Sequence, residues 1–297
     1  MGGGGDAVGA LVVADLAARF GASAVVGGLT WERNVVDPQP GPRRLEELAH
    51  AERLNDAVAL AGPDTSGPGG FRFAESHLAG VLGERTVLVD PHPGPAGVAA
   101  GLDDACARLG CDLIALVDVG GDVLAHGHEP GLGSPLADSL LLAAAGHLRT
   151  PVTAAVWGAA CDGELTIDEV LERLAELAAA DAMTGVWGTP PDLLERLDAA
   201  IAAVPTEASA QALACARGAT GVVPIRGGRR TVPRSPVGAL TFLFDPRRAL
   251  ERVVPMAAAL RDAASLEDAE SILAARGIRT ELAFERAMAQ AAPQPEP

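Results

Sequence analysis

The chain has 297 residues, 48% of them hydrophobic, and a formal charge of -16 from 39 acidic and 23 basic residues, so it can bury a sizeable core and is not a disordered chain. So acidic a protein lacks the clustered cations that release counterions from phosphates, which speaks against nucleic acid as a partner. Every basic residue is arginine and tyrosine is absent, so a phosphate-loop lysine, a lysine Schiff base (and with it pyridoxal phosphate, PLP) and a Tyr-Lys proton relay are excluded.

Gly2-Gly3-Gly4-Gly5-Asp6 leads into a predicted amphipathic helix over 11–20, with Leu11, Val12, Leu16 and Phe20 in helical spacing before Gly21. Backbone N–H groups of a glycine turn at a helix start can approach a phosphate or carboxylate, which makes Gly3, Gly4, Gly5 and Asp6 candidate ligand-binding residues. A flexible glycine tail is the alternative. A strand over 23–30 delivers Trp31, Arg33 and Asn34 to its carboxyl end, where Arg33 can clamp an anion and Trp31 can stack on a ring. An ion pair of Arg33 with Glu32 and a core role for Trp31 are the plainer readings.

Residues 45–60 mix acids and apolar residues in helical fashion, and 71–82 suits a short helix or a hairpin. Thr86 to Asp90 reads as a buried strand ending in an acid, with His92 behind it, so both join the candidate crevice. A helix over 96–109 closed by Gly110 and a strand over 112–117 complete a strand, helix, strand unit that favours parallel pairing.

That last strand ends in Asp118-Val119-Gly120-Gly121-Asp122 and runs on to His126-Gly127-His128-Glu129. In an open parallel sheet such strand ends face a common crevice. Asp118 and Asp122 are therefore the leading candidates for acid/base catalysis or for holding a divalent cation such as Mg2+. Both can point inward only if the turn at Gly120 and Gly121 bends the chain back; capping and turn roles are the alternative. His126 is a further catalytic candidate, and His126 with His128 would share a face of an extended chain and suit a metal, without an evident third ligand.

Ser134-Pro135 open a helix reaching 148, with Leu136, Leu140, Leu141 and Leu148 on one face and Ser134 as N-cap. Ser134 and Asp138, with Gly120 and Gly121 of the turn, are counted among the substrate-binding candidates, and Ser134 lacks the strained elbow of a nucleophile. A strand over 153–157 and a helix over 166–180 with a Thr166-Glu169 capping box follow. Helices over 190–203 and 206–216 place Glu207 at a helix start, as a catalytic acid or as a complement to the macrodipole. Two short strands over 219–232 join at an arginine-bearing turn, which makes Arg226 an anion-binding candidate. A strand over 240–245, helices over 246–260 and 265–276 and a flexible tail over 291–297 complete the chain.

Cys106, Cys111, Cys161 and Cys215 are neither paired nor in a CxxC spacing, which suits free thiols in a reducing cytosol. No apolar run reaches about 18 residues and no charged segment precedes a hydrophobic one at the amino terminus, so the expectation is a soluble cytoplasmic protein without a membrane partner, able to form a homo-oligomer.

The pattern predicts an α/β fold: a Rossmann-like three-layer sandwich with a mostly parallel sheet and a helical carboxyl-terminal portion. It forms one domain over 1–290, with a sheet-rich lobe over 1–160 and a more helical lobe over 161–290. The expected function is an enzyme, hydrolase or lyase, acting on a small anionic metabolite through Asp118 and Asp122. The alternative is a nucleotide- or dinucleotide-binding protein, regulatory or NAD(P)-dependent.

GGGGDAVGA at 2–10, GGLTWER at 27–33, VDVGGDVLAHGHEPGLGSPLADS at 117–139, DGEL at 162–165, PTEAS at 205–209 and IRGG at 225–228, taken together, resemble the domain of unknown function 1152 family. The blocks follow in order over nearly the whole chain. The resemblance implies a strand ahead of the glycine loop, where this sequence departs from the pattern, and it implies no activity. A fainter likeness, to D-glutamate cyclase-type domains, rests on Glu32-Arg33 and Gly121-Asp122 and concerns the fold alone.

Overall fold

The computed structural model describes residues 1–291 and shows a mixed α/β protein; residues 292–297, most of the predicted tail, lie outside the described residues. Helix α1 (Gly4–Arg19) takes in the glycines as its own first turn instead of following them, because Ala7, Val8, Leu11 and Val12 are all buried along it. Strand β1 (Gly27–Leu29) is followed by β2 (Glu52–Arg53) and β3 (Val58–Ala61), not by the helix expected over 45–60. Val58 to Ala61 is a short apolar run buried at every position, and periodicity cannot separate such a run in a strand from one in a helix. Helix α2 (Ala74–Leu82), β4 (Thr86–Val89) and α3 (Gly94–Leu109) come next, with Gly110 ending α3 in the left-handed conformation expected of it.

Strand β5 (Ile114–Val119), α4 (Pro135–Ala144) and β6 (Val152–Trp157) form a parallel crossover unit. Helix α5 (Ile167–Ala179) has the Thr166-Glu169 capping box, and β7 (Met183–Gly188), absent from the sequence reading, follows it. Then come α6 (Leu194–Ala203), α7 (Glu207–Ala216), the hairpin β8 (Gly221–Ile225) and β9 (Arg230–Arg234), and β10 (Leu240–Phe244). Helices α8 (Pro246–Arg252), α9 (Pro255–Leu260), α10 (Leu266–Ala275) and α11 (Glu281–Ala291) finish the described chain. Asp245 caps α8 through the Arg247 and Arg248 N–H groups.

The strands form two four-stranded sheets, β1-β4-β3-β2 and β5-β6-β10-β7, beside the β8-β9 hairpin. Among the described residues only β1 with β4 and β5 with β6 run parallel; the other five strand pairings are antiparallel. The expectation of a mostly parallel sheet is corrected accordingly. A buried apolar strand carries the same residues whichever way its neighbour runs, so strand direction is not written in the pattern. β4 and β5, expected to pair, lie in different sheets. The backbone of Met1 and Gly2 runs between β1 and β5: the Met1 amino group donates to the Val117 carbonyl and the Leu29 N–H donates to the Gly2 carbonyl at 3.2 Å.

Two hydrophobic cores lie against the second sheet. Leu116, Ala154 and Val156 join α4 and the carboxyl-terminal helices in one; Val119 and Trp157 join α1, α6 and α7 in the other. Residues of opposite parity on β5 and β6 thus feed opposite faces, as a pleated strand requires. All of α4 from Pro135 to Ala144 is buried.

Candidate active site

The site begins at a turn. After β5, Gly120 and Gly121 take φ values of 130° and 107°, conformations that residues with a Cβ rarely adopt. The chain doubles back there, so Asp118 and Asp122 stand beside each other at one cavity. The Gly121 N–H donates to Asp118 Oδ2 at 2.7 Å and fixes that carboxylate.

A cavity of about 200 Å³ lies in front of them, lined by the starts of α1, α4 and α7 and by the ends of β1, β5, β6 and β8. Ten carboxylates and two arginines face it. The expected residues Gly3, Gly4, Gly5, Asp6, Trp31, Arg33, Asp118, Asp122, Ser134, Asp138, Glu207 and Arg226 all line it. Asp6 ties the elements together: Oδ1 accepts from the Val119 N–H at 2.8 Å and Oδ2 accepts from the Gly2 N–H. Gly3 has no room for a side chain, since a Cβ there would fall 2.4 Å from the Trp31 carbonyl oxygen. Arg33 sits at the exposed edge and donates to the Pro205 carbonyl at 2.8 Å. Glu207 Oε1 accepts from the Arg226 N–H at 2.8 Å and so links α7 to the turn after β8.

Other expected residues stand elsewhere. Gly120 and Gly121 shape the turn from behind, and Asn34 is not among the lining residues. His126 is turned away: its Nε2 lies 3.0 Å from the Val253 carbonyl oxygen and 3.1 Å from Glu176 Oε2, with Arg173 alongside. His128 stands 5.9 Å from the His126 ring and shares no ligand cluster with it among the described residues. Asp90 and His92 are spent on each other at 2.6 Å. Strand periodicity places a residue along the chain but not around a loop, and these histidines and Asp90 lie on segments that leave the cavity.

Ser134 does not cap α4 as expected. Its hydroxyl donates to Asp122 Oδ2 at 3.2 Å and to Glu164 Oε1 at 3.1 Å. The amino end of α4 is satisfied from a distance by Glu281, whose two oxygens accept from the Leu136 N–H at 3.0 Å and the Ala137 N–H at 2.7 Å. A carboxylate there offsets the positive end of the helix. Glu281 and Glu285 reach the cavity on α11, which the sequence reading lacks. The signal was present: Thr280 Oγ1 accepts from the Ala283 N–H, the cap pattern that marks a helix start. Asp162 and Glu164 were missed too, although they follow strand β6 as Asp122 follows β5.

Burial dominates the electrostatics. It pushes Asp118 up to about 7, with the Asp6 charge adding to the effect. Burial first, then neighbouring carboxylates, hold Asp122, Asp138 and Asp162 well above the usual carboxylate range. Burial also takes Glu281 and Glu32 each to about 7. Crowded acids of this kind hold protons in common or take up cations.

A family model described as a protein of unknown function, DUF1152, matches residues 1–289. No curated protein and no solved structure matches the chain.

Proposed function

The chain belongs to the DUF1152 family, and from that premise, which brings no activity with it, we propose an enzyme that acts on a small anionic metabolite (phosphorylated, sugar or carboxylate) by hydrolysis or elimination. The observation that carries this reading is the meeting of Asp118 with Asp122 in a cavity that Arg33 and Arg226 also face. Two carboxylates in contact cannot both ionise freely, so one is an acid while the other is a base, or both turn to a divalent cation. The Gly3, Gly4 and Gly5 backbone with the two arginines holds the anion. Helices on both faces of the β5-β6-β10-β7 sheet support a Rossmann-like three-layer reading, as one domain over 1–290. Four free cysteines suit a cytoplasmic protein.

Thermal-shift screening of sugar phosphates, dicarboxylates and nucleotides, each with and without Mg2+, followed by product detection on every hit, tests the proposal. Stabilisation with turnover that Asp118→Asn abolishes supports it. Stabilisation by nucleotides without hydrolysis or elimination supports the second reading, a nucleotide-binding or NAD(P)-dependent protein. That reading is favoured by the amino end of α1, where Gly3 offers no side-chain cap and faces the cavity.

A further inference from the structure

The cavity acids fall into two sets. Asp6, Asp118 and Asp138 offer oxygens within 4.8 Å of one another, and Asp122, Asp162 and Glu164 do the same. Asp118 and Asp122, expected to share one ion, therefore stand in different sets.

Each set contains one acid that the protein leaves unsatisfied. Asp138 is 5% exposed and its Oδ1 has no hydrogen-bond partner; Asp162 is 5% exposed and neither of its oxygens has one. Both line the cavity. A buried carboxylate oxygen without a donor is costly, and a protein retains such a group where something else completes it. The remaining members are held by donors outside the sets. Val119 N–H orients Asp6, Gly121 N–H orients Asp118, Ser134 Oγ orients Asp122, and the Gly133 and Ser134 N–H groups orient Glu164. Donors of this sort hold metal ligands in place while leaving lone pairs for the ion.

We propose that the cavity binds two divalent cations, one in the Asp6, Asp118 and Asp138 set and one in the Asp122, Asp162 and Glu164 set, adjoining where Asp118 meets Asp122. All six donors are carboxylate oxygens, which selects hard cations of the Mg2+ and Mn2+ class over zinc or copper. Three protein ligands per ion leave positions for water and for oxygens of a bound anion, and two neighbouring cations clamp a phosphate or carboxylate between them. The sets differ in charge: two arginines, Arg226 and Arg230, lie 3.2 and 3.3 Å from Glu164 Oε1, whereas the Asp6, Asp118 and Asp138 set faces one cation, the Met1 ammonium 3.6 Å from Asp6 Oδ2. The Asp6, Asp118 and Asp138 set is therefore the tighter site. This assignment rests on the reading of the cavity as the active site, and it names the cofactor class of that site.

The test is Mn2+ binding to the full chain without any substrate, by calorimetry and by electron paramagnetic resonance of the bound ions. The expected result is two Mn2+ per chain with unequal affinities and a dipolar-broadened spectrum. Asp138→Asn should remove the tighter ion alone and Asp162→Asn the weaker one alone, each with an unchanged circular dichroism spectrum. Glu207→Gln should retain both. One ion per chain, or loss of the same ion in both variants, overturns the two-site assignment; no binding by the wild-type chain shows that protons complete the acids and overturns it as well. Binding of two ions with no turnover on any small anion would instead count against the proposed reaction and leave the cation sites standing.

Discussion

Gly120 and Asp162 stand so close that a Cβ on Gly120 would fall 2.3 Å from the Asp162 Cγ. The glycine after β5 and the acid after β6 are one device: the first makes the space and the turn, the second fills the space with charge. Gly120→Ala should displace Asp162 and force a side chain onto a φ of 130°, a strain of about 1–3 kcal/mol. The expected outcome is a lower melting temperature and a loss of roughly tenfold or more in affinity for the weaker Mn2+, about 1.4 kcal/mol. Unchanged affinity in a folded variant would contradict the device.

Asp118→Asn and Asp122→Asn should each abolish turnover while the melting temperature at neutral pH stays within a few degrees of wild type. Both side chains are buried among other acids, so losing a charge costs the fold little and relieves repulsion. Kinetics and calorimetry on the same samples decide it. If both variants unfold, the turn is structural and the catalytic reading fails.

A second acidic pair gives the pH dependence. Glu75 is fully buried with both oxygens unpartnered, and burial followed by the nearby Glu32 charge holds its pKa well above the ordinary range. Burial takes Glu32 from 4.5 to about 7. A carboxyl whose folded pKa is raised binds its proton more tightly folded than unfolded, so stability is fully present below pH 4.5 and falls as the pH rises toward 7. For Glu32 the loss is about 3 kcal/mol. Urea denaturation of the metal-free protein should show a steady decline between pH 5 and pH 8, and Glu75→Gln should flatten it, with its gain confined to the alkaline side. A decline of equal slope in the variant would sink the assignment.

Glu281→Ala should leave the Leu136 and Ala137 N–H groups at the buried start of α4 without an acceptor, at a cost of about 1–3 kcal/mol. The loss should appear as a lower urea midpoint with an unchanged slope. Because α4 also carries Ser134 and Asp138 into the cavity, the affinity for the tighter Mn2+ should fall in parallel; a stability loss without that fall would confine Glu281 to capping.

Legibility followed physical range. Strands β4 and β5, the Gly110 cap and the Thr166 capping box were readable because each depends on residues a few positions apart. Most of the cavity was readable for a related reason. Acids, glycines and arginines at the ends of elements have few roles in a core, so their residue type singled them out. What was missed arrived from far along the chain: Asp162 and Glu164 beside Gly120 and Gly133, and Glu281 under α4.

Alone, the sequence determined that the protein is a lysine-free, acidic α/β chain and set Asp118 and Asp122 on either side of a Gly-Gly turn. Only the tertiary structure decided that these two acids serve different clusters, that His126 faces away and that the strands run mostly antiparallel. Short-range signals are set by backbone geometry and survive in any surroundings. Which buried oxygen lacks a donor depends on every element packed around it, and that is known only once the chain has closed on itself.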